Sequence, residues 1–323
     1  MLKDGLEREL TYLRISLTDK CNLRCRYCVP PCGVKLKEHK DILTLEETQR
    51  LVDIFTKLGV NKVRFTGGEP LVRKNAVGLI KNVSKLTNAP HICITTNGVL
   101  LEDYIDYLCD ASVKDINISL DTLDPSVFES ITGSDSLSSV IEGIRSCLVR
   151  GINLKINTVP LKGINEDEIP ALAGLARDND LSVRFIELMP IGCAASYEGI
   201  SNDEVKRRLI DVYGQGVKAE AEGGGPAEYM MFEGFRGKVG FISPISHSFC
   251  LQCNRLRLTC DGKLKLCLAS PVSVDLKSLI RSGASDEDIS ATIIDAVKNK
   301  PSHHEFSSGV FDPGNSGMIG IGG

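Results

Sequence analysis

Three closely spaced cysteines are the first residues of the chain that could do chemistry. Cys21, Cys25 and Cys28 are separated by three and then by two residues. Three thiolates in one short loop can hold three irons of a [4Fe–4S] cube, which leaves the fourth iron open to a substrate. A zinc loop is the alternative, but zinc sites prefer four ligands arranged as two spaced couples. The spacing therefore favours a cluster with an open position, and Cys32 is expected to be a bystander.

A second group of cysteines lies in the last quarter of the chain. It consists of Cys250, Cys253, Cys260 and Cys267. In a reducing compartment such cysteines are more often metal ligands than disulfide partners. All four together would suffice for a structural zinc site, so that alternative stays open. Arg255 and Arg257 lie between them, two residues apart in a predicted strand, and therefore share one face of it.

The composition limits the functions open to this chain. Its 323 residues include 38 Lys and Arg against 42 Asp and Glu, so the net charge is −4. An overall basic surface for nucleic acid is therefore excluded. No apolar run approaches the roughly 18 residues of a membrane span, and the N-terminus lacks the apolar core of a signal peptide. We expect a soluble, cytoplasmic protein that binds neither nucleic acid nor membrane. The other cysteines occur singly and are expected to be structural: Cys93, Cys109, Cys147 and Cys193.

Alternating strands and helices must position these groups. Strands are predicted at 10–18, 62–66, 91–96, 115–120, 154–161 and 183–189. Helices are predicted at 45–58, 76–86, 101–109, 138–150 and 166–177, the first of them begun by a capping box of Thr44 and Glu47. This alternation predicts a parallel sheet with right-handed crossovers. Six units are too few for a closed eight-stranded barrel, so we expect an α/β fold, an incomplete (β/α)6 open TIM-type barrel.

After about residue 195 the alternation gives way to a β-rich pattern. A helix is predicted at 201–213, with Ser201 and Glu204 as a capping box. Short antiparallel strands are predicted at 229–232, 238–242, 255–259 and 263–267, and one further helix at 285–298. We therefore expect a barrel core over 1–195 and a C-terminal extension over 196–323, which carries the second cysteine group.

The cysteine loop and several later motifs resemble the radical S-adenosylmethionine (SAM) superfamily. Gly67-Gly68-Glu69-Pro70 ends the second strand, and Asn117-Ile118-Ser119-Leu120-Asp121 ends the fourth. The resemblance implies that Gly68, Ser119, Tyr27 and Met189 contact SAM, and that the Glu of the first motif binds its amino group. These positions lie at carboxyl ends of strands, where this architecture places ligands.

The second cysteine group with Arg255 and Arg257 resembles, more narrowly, the GTP 3′,8-cyclase family of molybdenum cofactor biosynthesis. The resemblance covers essentially the whole chain. It implies a second [4Fe–4S] cluster on Cys250, Cys253 and Cys267, whose open iron binds guanine. It also implies that the two arginines bind the triphosphate, which suits the match between guanidinium and phosphate geometry. Cys260 then has no ligand role.

Other positions match residues of the same family one by one. The resemblance implies GTP contacts by Arg14, Arg64, Thr95 and Lys155. It places Arg184 in the interior of the site and the terminal Gly322-Gly323 within the active-site cavity. Glycine lacks a side chain, so such a tail could thread a narrow channel beside a substrate.

The implied reaction begins with the reduction of the first cluster and the cleavage of SAM to methionine and a 5′-deoxyadenosyl radical. The radical removes hydrogen from C3′ of GTP, and C3′ bonds to C8 of guanine to give (8S)-3′,8-cyclo-7,8-dihydro-GTP after uptake of an electron and a proton. The implied partners are an external electron donor such as flavodoxin or ferredoxin and the downstream cyclic pyranopterin monophosphate synthase. The protein would act as a monomer or homodimer.

Two other interpretations stay open from the sequence. One is a radical SAM peptide-modifying enzyme, although those usually carry more C-terminal cysteines and lack the Arg-x-Arg. The other is a non-enzymatic zinc module that binds nucleic acid, which would need basic patches interleaved with aromatic residues. Aromatic residues are only 5% of the chain, and tryptophan is absent.

Overall fold

The computed structural model describes residues 1–220, 225–304, 306 and 317–321. The strands in these ranges form one mixed sheet, and its centre alternates with helices along the chain. The central strands are β1 (Tyr12–Ser16), β2 (Lys62–Thr66), β3 (His91–Thr96), β4 (Asp115–Ser119), β5 (Asn153–Thr158) and β6 (Ser182–Ile186). The helices between them and ahead of β6 are α1 (Leu45–Lys57), α2 (Ala76–Val83), α3 (Leu101–Asp110), α4 (Pro125–Thr132), α5 (Leu137–Val149) and α6 (Ile169–Asp178).

The C-terminal part adds further strands and helices to this unit. In chain order they are α7 (Asn202–Tyr213), β7 (Val217–Ala219), β8 (Glu228–Met231), β9 (Lys238–Ile242), β10 (Arg255–Leu258), β11 (Lys263–Lys265), β12 (Ser273–Asp275), α8 (Leu276–Arg281), α9 (Asp286–Val297) and α10 (Gly317–Ile321).

The central strands lie side by side in chain order, and each neighbouring pair is parallel. The outer edge of β1 pairs with β10, and the outer edge of β6 pairs with β9. The two ends of the six-stranded unit therefore do not meet, and the predicted open barrel is confirmed.

The prediction of purely antiparallel C-terminal strands is wrong at two places. β9 is parallel to β6 and β10 is parallel to β1, whereas β8 with β9 and β10 with β11 are antiparallel as expected. An open barrel leaves a row of backbone N–H and C=O groups along each edge strand. The returning chain satisfies these groups, and the direction in which it returns sets the pairing.

Local signals at the helix starts predict the caps only in part. Thr44 and Glu47 form the predicted capping box. The box predicted at Ser201 is only half formed, because Ser201 accepts the N–H of Glu204 while the Glu204 carboxylate pairs with two arginines of its own helix. Helix α4 was not predicted, although Asp124 caps it and Pro125 occupies its first turn, both of which are start signals.

Alternation along the strands separates an apolar outer face from a polar inner face. Leu13 and Val63 are fully buried in the core between the sheet and the helices. The intervening residues point the other way. Arg14 of β1 therefore lies in one row with its register partners, Arg64 of β2 and Arg257 of β10. The inner face thus collects cations from strands that are far apart in the sequence. Within the described ranges, none of the helices combines the length and apolar character needed to cross a membrane.

Candidate active site

The first cysteine loop follows β1 at the carboxyl end of the parallel sheet. Its backbone is attached to the end of α4, where the N–H groups of Arg24 and Arg26 donate to the carbonyl oxygens of Thr132 and Ile131 at 2.8 and 2.9 Å. One cavity lies against this loop. It is lined by Cys21, Cys25, Cys28, Tyr27, Gly68, Thr95, Asn97 and Ser119, among others. The structure thus brings the three predicted iron ligands together with three of the four predicted SAM contacts.

Gly68 fixes how closely the second strand approaches this loop. A Cβ atom at this position would lie 2.3 Å from the carbonyl oxygen of Lys20, the residue immediately before Cys21. That distance is far below van der Waals contact, so any side chain would push the loop away. The backbone of the same segment is tied in place, because Gly68 N–H donates to Thr18 O (2.7 Å) and Glu69 N–H donates to Lys20 O (2.8 Å).

Glu69 holds two loops of the site together. Its buried carboxylate accepts hydrogen bonds from Thr96 Oγ1 (2.9 Å), from Asn97 N–H (2.7 Å) and from Leu71 N–H (3.0 Å). Burial raises the pKa of Glu69 to about 7, against the effect of these hydrogen bonds. The structure gives this side chain a positioning role between β2 and β3, beside the SAM contact that the resemblance implies.

Tyr27 and Asp121 form a second link, between the cysteine loop and the end of β4. The Tyr27 hydroxyl donates to Asp121 Oδ2, and Val159 N–H donates to Oδ1 at 2.8 Å. Burial and the neighbouring Asp121 carboxylate raise the pKa of Tyr27 well above its usual range. Burial likewise raises the pKa of Asp121 to about 6. Tyr27 is therefore held as a neutral donor that orients the loop.

The arrangement of thiols fits a cluster better than a single ion. In the described part of the chain, only His91, Cys93 and Asp115 bring three ligating atoms within 4.8 Å of one another. Sulfurs around one tetrahedral zinc would lie about 3.8 Å apart. Neither cysteine triplet converges in that way, as expected for ligands spaced around a larger cube. Asn97 Nδ2 and Leu23 N–H also donate to Cys21 Sγ (3.7 and 3.4 Å), the kind of contact that tunes cluster potentials.

The thiols of the first loop are protonated without a metal. Burial and the neighbouring thiols raise the pKa of Cys28 to about 12, and burial also raises the pKa of Cys25 well above its usual range. Iron binding at this loop must therefore displace protons.

A second cavity contains the other cysteine group. It is lined by Cys250, Cys253, Cys267, Arg14, Arg255, Arg257, Met189, Phe249 and Lys300, among others. Three predicted cluster ligands and three predicted triphosphate contacts thus share one cavity. Met189, a predicted SAM contact, lines this second cavity and not the first.

The arginines of the second cavity repel one another. Burial, with the like charges of Arg64, Arg255 and Arg184, lowers the pKa of Arg14 to about 10. Burial and the charges of Arg14 and Arg255 also lower the pKa of Arg257 well below its usual range. Concentrated positive charge of this kind is stabilised by a polyanion in the same cavity.

The cations also act on the cysteines. Burial raises the pKa of Cys253, but Lys300 and Arg255 outweigh it, so that the net pKa lies below the usual value. Lys300 is itself buried and donates to the carbonyl oxygens of Arg255 (2.9 Å) and Leu266. Sequence analysis missed Lys300, because a lone lysine after a helix carries no motif.

Arg8 was missed as well. This buried arginine forms an ion pair with Asp4 (2.6 Å) and donates to the carbonyl oxygens of Cys250 (2.7 Å), Lys300 (3.2 Å) and Pro301 (2.8 Å). It therefore attaches the N-terminal segment to the second cysteine loop. No sequence signal could have found its role at the second cysteine loop, since the three carbonyl groups to which it donates are distant in the chain.

The remaining predicted GTP contacts make hydrogen bonds within the sheet. Arg64 donates to the Tyr12 hydroxyl (2.6 Å), to Ile94 O (2.9 Å) and to Thr95 Oγ1 (3.3 Å). Lys155 forms an ion pair with Asp115 at 3.2 Å. Neither of these two cations lines the second cavity.

Arg184, predicted for the site interior, is a buried residue of β6. Its Nε and Nη2 atoms donate to Asn157 Oδ1 at 2.9 and 2.6 Å, and burial lowers its pKa. The charge of Arg184 acts on Arg14, so it contributes to the positive field of the second cavity.

The two extra cysteines lie apart from the cavities. Cys32 is exposed on the loop after the first motif. Cys260 is buried, and burial with the carboxylates of Asp19 and Asp261 raises its pKa to about 12. In the described ranges the sulfurs of Cys260 and of the other three cysteines of its group do not all lie within 4.8 Å of one another.

The C-terminal helix reaches the first cavity. Met318 and Ile319 of α10 line it together with the cysteines. The tail residues Gly322 and Gly323, predicted to enter the site, lie outside the described residues.

Comparison with known proteins agrees with this geometry. Residues 15–176 match the model of the radical SAM superfamily, and residues 181–306 match the model described as Molybdenum Cofactor Synthesis C. The chain resembles the crystal structure of Streptococcus suis SuiB bound to S-adenosylmethionine, with a TM-score of 0.60 at 16% identity over 88% of this chain and 68% of that one. This likeness concerns the fold.

Relatives that match over the full length of the chain identify its family within this superfamily. The GTP 3′,8-cyclase of Peptoclostridium acidaminophilum is 46% identical over 96% of this chain and 95% of its own length. Those of Alkaliphilus metalliredigens and Moorella thermoacetica are 44% and 43% identical, over 100% and 99% of this chain and the whole of their own. These full-length relatives show that the chain, whose two cavities each contain three cysteines, belongs to the GTP 3′,8-cyclase family of the radical SAM superfamily.

Proposed function

We propose that this protein is a GTP 3′,8-cyclase that consumes SAM and GTP in molybdenum cofactor biosynthesis. The observation that carries the proposal is the second cavity, in which Cys250, Cys253 and Cys267 share their walls with Arg14, Arg255 and Arg257. A cluster with an open iron beside three half-buried arginines suits a substrate with a nitrogenous base at one end and several phosphates at the other.

Two [4Fe–4S] clusters are the cofactors. In this proposal Cys21, Cys25 and Cys28 hold the first, and Cys250, Cys253 and Cys267 hold the second. When bound, the reduced first cluster and SAM supply the radical that takes hydrogen from C3′ of GTP. Tyr27, Gly68 and Ser119 form the wall on which SAM would lie. Met189, on the second cavity, would lie between the two substrates.

The protein's own contribution is orientation and exclusion of water. Arg14, Arg255 and Arg257 hold the triphosphate, and Arg64, Thr95 and Lys155 approach the nucleotide from β2, β3 and β5. Arg184 lies in the interior of the site, and its charge adds to the positive electrostatic field around Arg14. Fixing C3′ next to both the hydrogen acceptor and C8 of the same nucleotide makes bond formation an intramolecular step. Gly322 and Gly323 are proposed to close the first cavity. This proposal is supported by Met318 and Ile319, which line that cavity.

The electron donor is proposed to be an acidic protein such as flavodoxin or ferredoxin. The first cysteine loop and the segment after it expose a group of cations, although the whole chain carries a net charge of −4. They are Lys20, Arg24, Arg26 and Lys35. Complementary charge around the first cluster would steer an acidic donor to it.

The wider setting follows from the same proposal. The product would pass to cyclic pyranopterin monophosphate synthase. The protein would work in the cytoplasm, because none of its twelve cysteines is paired in a disulfide, as expected in a reducing compartment. It would act as a monomer or homodimer. Residues 1–195 would form the SAM-binding core and residues 196–323 the extension for the second cluster.

The test is an anaerobic incubation of the reconstituted protein with SAM, GTP and dithionite, followed by mass spectrometry. We expect 5′-deoxyadenosine and a cyclised isomer of GTP in equal amounts. Cys28→Ser should yield neither product. Cys250→Ser should yield 5′-deoxyadenosine without the cyclised nucleotide. Recovery of unchanged GTP beside abundant 5′-deoxyadenosine in the unmodified protein would contradict the proposal.

A further inference from the structure

A cluster of ligand-type side chains lies at the amino ends of the parallel strands, the opposite end of the sheet from the first cysteine loop. His91 is the first residue of β3, Cys93 follows two residues later, and Asp115 is the first residue of β4. Residues two apart on a strand share a face, and Cys93 is the register partner of Asp115. Backbone pairing alone therefore brings an imidazole, a thiol and a carboxylate together at the amino ends of the strands.

The ligating atoms of these three residues meet in space. A ring nitrogen of His91, the sulfur of Cys93 and a carboxylate oxygen of Asp115 all lie within 4.8 Å of one another. The His91 Nε2 atom contacts Asp115 Oδ2. Four ligands around one tetrahedral ion lie about 3.3 to 3.8 Å apart, so this trio needs only a small adjustment to close on an ion.

The carboxylate is already oriented by outer partners. Asp115 Oδ1 accepts from Asn153 Nδ2 (2.8 Å) and from Lys155 Nζ (3.2 Å), and Lys155 also donates to Asn153 Oδ1 (3.1 Å). Oδ2 is thereby left facing His91 and Cys93. Metal-ligating carboxylates are commonly held by such hydrogen bonds on the oxygen that does not bind the ion.

The exposure of these three side chains allows an ion to enter from solvent and to bind buried ligands. Cys93 is fully buried and the Asp115 side chain is 10% exposed, whereas the His91 side chain is 46% exposed. An ion can therefore enter from solvent past the imidazole and bind the buried sulfur and oxygen, with water completing the fourth position. One thiolate, one imidazole and one carboxylate form a mixed donor set that suits zinc.

We propose that His91, Cys93 and Asp115 form a zinc-binding site that joins β3 to β4 at the amino end of the barrel. Cys93, which the sequence alone assigns to core packing, is its sulfur ligand. The site is separate from both cysteine loops and does not depend on the reaction proposed above. Its effect is to fix two neighbouring strands together at their amino ends.

The test uses the full-length protein with both clusters reconstituted anaerobically. The protein is dialysed against zinc chloride buffered by a competing chelator, and zinc and iron are counted by mass spectrometry. We expect about one zinc per chain in the unmodified protein. Cys93→Ala and His91→Gln should each weaken zinc binding at least about tenfold and leave the iron count unchanged. Cys109→Ala, which removes an exposed thiol of α3, is the matched control and should keep the zinc.

X-ray absorption at the zinc edge identifies the ligands. The proposed site predicts one sulfur at about 2.3 Å with nitrogen and oxygen at about 2.0 Å. A shell of three sulfurs would place the ion in an incompletely loaded cysteine loop and would overturn the proposal. Zinc retention by His91→Gln at the level of the unmodified protein, or no zinc in the unmodified protein, would overturn it as well. His91 is partly exposed, so its variant should fold even if Cys93→Ala does not.

Discussion

Arg14 and Arg257 are register partners on the neighbouring parallel strands β1 and β10. Both side chains line the second cavity, where burial and the like charge of Arg14 lower the pKa of Arg257. Two half-buried guanidinium groups of like charge on adjacent strands favour the binding of a negatively charged ligand. Such a pair is explained by a polyanionic ligand, whose charge replaces the lost solvation.

This relationship predicts how nucleotide affinity depends on charge. Arg257→Ala or Arg14→Ala should weaken GTP binding by about 1.5–3 kcal/mol, the value of one charge-assisted contact. Affinity should fall from GTP to GDP to GMP, as measured by anaerobic titration calorimetry. Arg236→Ala removes an exposed arginine elsewhere and should bind GTP normally. Equal affinity for GTP and guanosine would exclude the triphosphate role.

The cysteine assignment predicts the iron content of variants. The reconstituted protein should contain about eight irons per chain in two cubes. Cys250→Ser, Cys253→Ser and Cys267→Ser should each reduce the count to about four and retain SAM cleavage. Cys32→Ala and Cys260→Ala are the matched thiol controls and should keep all the iron. A count near four in Cys260→Ala would show that the second ligand set is assigned wrongly.

The close approach at Gly68 predicts a selective loss. Gly68→Ala places a methyl group against Lys20 O and should displace the first cysteine loop. We expect loss of the first cluster and of SAM cleavage, with the second cluster retained, measured by iron content and Mössbauer spectroscopy. Gly225→Ala is the control, because no atom of the described residues lies within 4 Å of where its methyl group would be. Full SAM cleavage by Gly68→Ala would mean that the loop tolerates the displacement.

The ion pair of Asp4 and Arg8 predicts a pH-dependent stability. Burial tends to raise the pKa of Asp4, but its hydrogen bonds to Arg8 outweigh this and the net pKa lies below 3.8. A lowered carboxyl pKa stabilises the protein above the unfolded value and ceases to do so as pH falls through the folded one. Asp4→Asn should therefore lower the free energy of unfolding by on the order of 3 kcal/mol at pH 7.

Chemical denaturation of the cluster-free protein at a series of pH values measures this difference. The gap between Asp4→Asn and the unmodified protein should be constant near neutrality and should shrink as pH falls below about 4. Arg145→Ala, which breaks an exposed pair with Glu142, should change stability little at any pH. A gap that stays constant down to about pH 2 would mean that folding does not lower the pKa of Asp4.

The position of α10 beside the first cavity predicts that the last two residues affect GTP cyclisation. Met318 and Ile319 line the first cavity, and residues 322–323 come directly after their helix in the sequence. Deleting Gly322 and Gly323 should leave both clusters and SAM binding intact and slow GTP cyclisation by at least about tenfold, equivalent to about 1.4 kcal/mol of barrier. Turnover of GTP by the truncated protein at the full rate would remove any role for the tail.

Local sequence patterns determined the central part of the fold and predict the cluster ligands. The spacing of Cys21, Cys25 and Cys28 specifies a three-thiolate loop, and the alternation of apolar residues specifies six strand–helix units. Thr44 and Glu47 mark the start of α1 in the same way. These signals are readable because each depends on residues a few positions apart, whose relative geometry the backbone fixes.

The tertiary structure alone decided which distant residues act together. The sequence places Arg255 and Arg257 on one strand face, but only the parallel pairing of β10 with β1 puts Arg257 beside Arg14. The attachment of Cys250 by Arg8, and the meeting of His91 with Asp115, likewise depend on long-range pairing. An open sheet edge can pair with a returning strand in either direction. The difference in free energy between parallel and antiparallel pairing depends on packing of the whole molecule rather than on local propensity.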